Sequence, residues 1–129
     1  MKKNAFYRDW LKTFGEGIPA ADIQKYVKAT GNFLWHVFSW ELLKPEQYLA
    51  GDEARAAFDR ADKSGGEYII WFEQDETAPL PEEGFTAAAL EELTEVYVVG
   101  RNFEWTYIKT HEGDFCGPYF MTKKGGNGA

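Results

Sequence analysis

Cysteine is almost missing from this chain of 129 residues, with Cys116 standing alone. One thiol builds neither an intrachain disulfide nor a multi-cysteine zinc site, and that usage fits a reducing cytosol. Long apolar runs are missing too. Nowhere do the roughly 18 consecutive apolar residues of a membrane span occur, and Met1 to Asp9 lacks the apolar run of about seven residues or more that marks a signal peptide. The expectation is a cytoplasmic protein with no membrane partner. Positive charge is short as well: 14 Lys and Arg face 21 Asp and Glu, for a net charge of -7. Such a chain repels phosphate backbones, so no nucleic acid is expected as partner. No phosphate-cradling glycine loop, G-x-G-x-x-G, H-E-x-x-H or G-x-S-x-G is present, so no cofactor, no metal and no assigned catalytic residue follow from motif chemistry.

Aromatic residues are abundant, at 17% of the chain, within 44% hydrophobic residues overall. That excludes a disordered or low-complexity protein. A chain this long buries about two thirds of its unfolded surface, enough for one core. The expected organisation is one α+β domain over residues 1–122 and a flexible tail over 123–129, whose Gly-rich end has nothing to bury.

Phe6, Trp10 and Phe14 recur at helical spacing and predict a first helix, ended by Gly15 and Gly17. Pro19 opens a second, with Ile23, Tyr26 and Val27 inward. The aromatic and β-branched run Asn32 to Trp40 predicts a strand apolar on both faces. Asp52 is placed to cap a helix with Ala54, Ala57, Phe58 and Ala61 on its inner face, and Glu67 to Gln74 predicts another strand. Glu73 to Gly84 then reads as an irregular acidic loop, because two prolines and a glycine interrupt it. Thr86 caps a helix through Leu93, with Phe85 and Leu90 as a hydrophobic staple. Val96–Val99, Glu104–Thr110 and Pro118–Thr122 read as hairpin-connected strands. The sum is a five-stranded antiparallel or mixed sheet with about four short helices packed on it.

Two constellations bear on function. The first is the acidic loop, where Asp75, Glu76, Glu82 and Glu83 can steer a cationic partner, with Trp105 and Tyr107 as apolar anchors on a sheet face left uncovered. The second is a set of His36, Glu41, His111, Glu112 and Cys116. An imidazole titrating near neutrality beside carboxylates suits acid/base work, and a thiol within reach of an imidazole suits nucleophilic catalysis. Each has a plainer reading. The acids can be a solvated connection, His36 a satisfied core residue, His111 a strand-end hydrogen-bonder, and Cys116 a buried small hydrophobe.

The blocks Leu34-Trp35-His36-Val37-Phe38-Ser39-Trp40-Glu41, Gly51 to Asp59, Asn102 to Tyr107, and Thr110-His111-Glu112 with Gly117-Pro118-Tyr119-Phe120 resemble a bacterial family catalogued as domain of unknown function 4275. The likeness covers about residues 30 to 122 and implies a cytosolic bacterial protein with a compact α+β domain. It carries no catalytic residues across.

Three functions are expected in order. The first is a non-enzymatic binding module, an acidic immunity-type inhibitor of a basic toxin or nuclease. The second is a small-molecule enzyme using His/Glu/Cys chemistry. The third is a homodimer or larger homo-oligomer pairing through Trp105 on an exposed sheet face.

Overall fold

The computed structural model describes residues 1–123, the side chain of Asp114 excepted; the expected tail falls, from residue 124 on, outside the described residues. Six antiparallel strands form one sheet in the order β1-β6-β5-β4-β2-β3. They are β1 (Leu49–Ala50), β2 (Glu67–Ile70), β3 (Ala78–Pro79), β4 (Val96–Val99), β5 (Trp105–Lys109) and β6 (Tyr119–Thr122). The α+β expectation holds. The count is six because two short edge strands were not legible and one expected strand is helical.

That strand is the run Asn32 to Trp40. Its centre is helix α3 (His36–Ser39), reached through a turn at Leu34–Trp35. Strand propensity measures how well a side chain fits a pleated, half-buried surface, and packing overrides it here. Leu34, Trp35, Val37 and Phe38 are buried, which is helical spacing, while Gly31 and Asn32, at φ 110° and 64°, turn the chain before the run. The remaining helices are α1 (Lys3–Phe14), α2 (Ala20–Tyr26), α4 (Asp52–Arg60) and α5 (Ala87–Leu90). Gly51, not Asp52, caps α4. Thr86 does cap α5 through Ala89 N–H at 3.2 Å, but that helix ends after one turn.

The acidic segment is likewise not a plain loop. Pro79 lies in the edge strand β3, opposite Glu67, where a missing N–H leaves no ladder bond unmade. Asp75 and Glu76 therefore precede an edge strand and Glu82 and Glu83 follow it.

Alternation along the central strands sends Tyr97, Val99, Ile108, Tyr119 and Met121 into a core under α1 and α3, centred on Phe6, Trp10, Phe14 and Phe38. The other face sends Val96, Val98, Trp105, Tyr107 and Phe120 under α4 and α5, against Ala54, Phe58 and Leu90. Both faces are covered. The open face on which Trp105 and Tyr107 were expected is closed by α4, whose Phe58 stacks on Tyr107 at 4.3 Å and meets Trp105 edge-on at 5.8 Å.

Candidate functional site

Register fixes where the site forms. Ile70 pairs with Val96 and Val96 with Lys109, so the residues just beyond them meet at one end of the sheet: Trp71 and Phe72 after β2, Glu95 before β4, Thr110 and His111 after β5. Helix α3 lies across that end. Leu34, Trp35, Val37 and Phe38 face inward, and the intervening positions Phe33, His36 and Trp40 form an outer stripe at helical spacing.

Glu95 is the centre. It is fully removed from solvent, yet three side chains donate to its carboxylate: Trp35 Nε1 at 3.0 Å, Tyr97 Oη at 2.7 Å and His111 Nδ1 at 2.6 Å. Buried charges persist only when so compensated. Burial, with the Glu95 charge beside it, pushes the Tyr97 hydroxyl well above its usual range, so Tyr97 remains a donor. Since Glu95 occupies Nδ1 of His111, Nε2 is the nitrogen left outward, 3.7 Å from Glu112.

His36 is held differently. Its Nδ1 is 2.9 Å from the Tyr26 carbonyl and 2.7 Å from Thr30 Oγ1. A carbonyl only accepts, so Nδ1 carries the proton. Phe33 and Trp35 each touch both imidazoles, with ring centroids 4.5 to 5.6 Å apart. The rings continue outward from Phe33 to Phe72 at 5.9 Å and from His36 to Trp40 at 6.4 Å, and Trp40 reaches Tyr26 at 5.3 Å. Trp40 and Phe72 are 53% and 55% exposed, so the belt opens to solvent. Each exposed ring is followed in the chain by an exposed carboxylate: Trp40 by Glu41, Phe72 by Glu73, His111 by Glu112. Glu41 holds its place at φ 56°, in the left-handed region a side chain seldom adopts.

Of the expected residues, the structure brings His36, His111 and Glu112 to one aromatic belt; Glu41 follows Trp40 in the chain, and its charge acts on Tyr48. Cys116 is packed against the core beside it, and burial, then the nearby Glu112 charge, raises its thiol pKa. Among the described residues no hydrogen bond joins Cys116 Sγ to either histidine, and no group of three His, Cys, Asp or Glu is arranged to hold a metal. Asp75, Glu76, Glu82 and Glu83 are exposed, with Glu76 paired to Lys2 at 3.3 Å. Trp105 and Tyr107 are core residues. Glu95, Phe33, Trp40 and Phe72 were missed as a site. The available signal was Glu95 two positions before Tyr97, a carboxylate in phase with the buried face of an otherwise apolar strand.

A family model described as Domain of unknown function (DUF4275) matches residues 2–120. No curated protein and no solved structure matches the chain.

Proposed function

The chain belongs to the family described as Domain of unknown function (DUF4275), and from its own residues we propose that it is a non-enzymatic binding module, an immunity-type inhibitor of a basic toxin or nuclease. The observation that carries this reading is the belt of Phe33, Trp40, Phe72 and His111, whose exposed rings are each followed in the chain by an exposed carboxylate, Glu41, Glu73 and Glu112. Large aromatic side chains at a desolvated centre with polar residues at the rim are the usual composition of a protein docking face. An exposed apolar patch of this kind is uncommon on a monomer without a partner. The carboxylates and the net charge of -7 select a cationic partner. Asp75, Glu76, Glu82 and Glu83 contribute to long-range steering, and Trp40 and Phe72 take the anchor role expected of Trp105 and Tyr107.

The test is capture of partners on the full chain from the cytosol of its source, with Trp40→Ala/Phe72→Ala and Glu41→Gln/Glu73→Gln/Glu112→Gln as comparators. A basic protein is expected to bind the unmodified chain at low salt and to lose about thirtyfold in affinity with the aromatic variant, the scale of a single interface hot spot. The carboxylate variant should slow association and flatten the salt dependence. Capture unchanged in both variants overturns the reading.

A second reading rests on the hydrogen bond between Glu95 and His111. A buried carboxylate that fixes Nδ1 and leaves Nε2 outward is an arrangement used for general acid/base work, here on a small molecule held against Phe33 and Phe72. It requires turnover that His111→Gln abolishes and His36→Gln leaves in place.

A further inference from the structure

Charge is not spread evenly over this acidic chain. Residues 1–28 carry six lysines and arginines against three acids, whereas the remainder carries eight against eighteen. The positive part is the segment from α1 through α2 to Lys28, which also contains a cavity of about 510 Å³, within the usual range for small-molecule sites. Tyr7 and Leu11 of α1, Ile18 of the connection and Ile23 of α2 form its apolar walls, and Arg8, Lys12 and Lys28 stand among its lining. The hollow lies where α2 covers the core only in part: none of its seven residues is fully buried, and Ile23, though packed against the core, keeps some exposure. Gly17, at φ 91°, makes the turn between the helices at the cavity wall.

The three cations are the informative feature. Among the described residues none of Arg8, Lys12 and Lys28 has a carboxylate partner, although the chain has an excess of carboxylates. Glu16 is the one acid in the lining, leaving a local excess of positive charge around an apolar hollow. We infer that this cavity binds a single-chain anionic amphiphile, a fatty-acid-like carboxylate whose apolar chain lies against Leu11, Ile18 and Ile23 and whose head meets Arg8, Lys12 and Lys28. Apolar walls select the chain, and the cations select a carboxylate over a neutral or cationic head. The site shares no lining residue with the aromatic belt, which touches α2 at Tyr26, and does not depend on the belt's function.

The test is titration of the full chain, followed by amide NMR and calorimetry, with decanoate and decyltrimethylammonium below their micelle concentrations and decanol below its solubility limit. Decanoate is expected to bind saturably at one site, with shifts confined to Leu11, Gly15, Gly17, Ile18 and Ile23, and at least tenfold more tightly than either other probe. Arg8→Gln/Lys12→Gln/Lys28→Gln, all exposed positions, should reduce decanoate affinity at least tenfold, remove its advantage over decanol and leave the thermal midpoint unchanged. Phe72→Ala, whose ring meets Phe33 and His111 and not α2, should bind decanoate as the unmodified chain does. Equal binding of the three probes, shifts elsewhere in the molecule, or undiminished decanoate affinity in the triple variant would overturn the assignment.

Discussion

Glu95 has no solvent exposure, and the His111 ring that bonds it at 2.6 Å keeps about a third of its surface in water. The pair thus joins the core to the surface across one hydrogen bond. Trp35 and Tyr97 complete the carboxylate's shell from a helical turn and from the sheet, so the aromatic belt is pinned through a single buried charge. A belt fixed in this way is preorganised: its rings lose little freedom on meeting a partner.

Glu95→Ala is expected to destabilise the fold by about 3 kcal/mol or more. It leaves the Trp35 indole N–H and the Tyr97 hydroxyl without their acceptor, at roughly 1–3 kcal/mol for each buried orphan. His111→Ala should cost less, about 1 kcal/mol, because water can replace a partly exposed donor. Urea unfolding of the two variants measures both. A Glu95→Ala cost below that of His111→Ala would remove the carboxylate from its central role.

Tyr107→Phe is expected to stabilise the protein. The Tyr107 ring is buried under Phe58, and its hydroxyl has no hydrogen-bond partner among the described residues. Deleting a buried unsatisfied hydroxyl while keeping the ring removes a desolvation cost of about 1 kcal/mol. The thermal midpoint should then rise by about 3 °C. A fall in the midpoint would mean that the hydroxyl is satisfied.

How legible the chain was depends on where each partner sits. Phe6, Trp10 and Phe14 mark their helix within twelve residues, and Val96–Val99 and Tyr119–Thr122 are marked as strands by their apolar and aromatic runs, although the cover that α4 gives their second face was not legible. The run Leu34 to Trp40 misled because Trp, Phe and Val suit strands, while the helical phase of its buried positions depends on the sheet beneath it. The edge strands β1 and β3 are two residues each, too short to leave a periodic trace. Glu95 left one signal, its phase with Tyr97, and was passed over for a different reason. Two of its three partners lie 60 residues before it and 16 after it, and one acid ahead of an apolar strand reads as a solvated turn. Trp40 and Phe72 gave no signal, since exposure of an aromatic side chain is decided by what fails to cover it.

Alkaline pH should unfold the chain through its tyrosines. Burial raises the hydroxyl pKa of Tyr7, Tyr48, Tyr97, Tyr107 and Tyr119, that of Tyr7 to about 12. The folded values lie above the unfolded value of about 10, so the folded state retains protons that the unfolded state releases. Their contribution is complete below about pH 10 and is lost as pH rises through the folded values. Urea midpoints should therefore be insensitive to tyrosine ionisation up to about pH 9 and fall beyond 10. Tyrosinate absorbance of the native chain at about pH 11 should be well below that of the chain in urea. Seven tyrosines ionising near pH 10 with the fold intact would contradict this.

Cys116 should react slowly, and Glu112 should be part of the reason. The thiolate is the nucleophile, and burial together with the Glu112 charge disfavours it. At pH 8 the folded chain is therefore expected to react with iodoacetamide more slowly than the chain in urea. Glu112→Gln removes the repelling charge but not the burial, so alkylation should quicken by a few-fold, about what one unit charge at short range in a watery setting provides, and still lag the unfolded rate. A rate that is unchanged or lower in Glu112→Gln would show that Glu112 exerts no such influence. Full recovery to the unfolded rate would show that burial is not the leading cause.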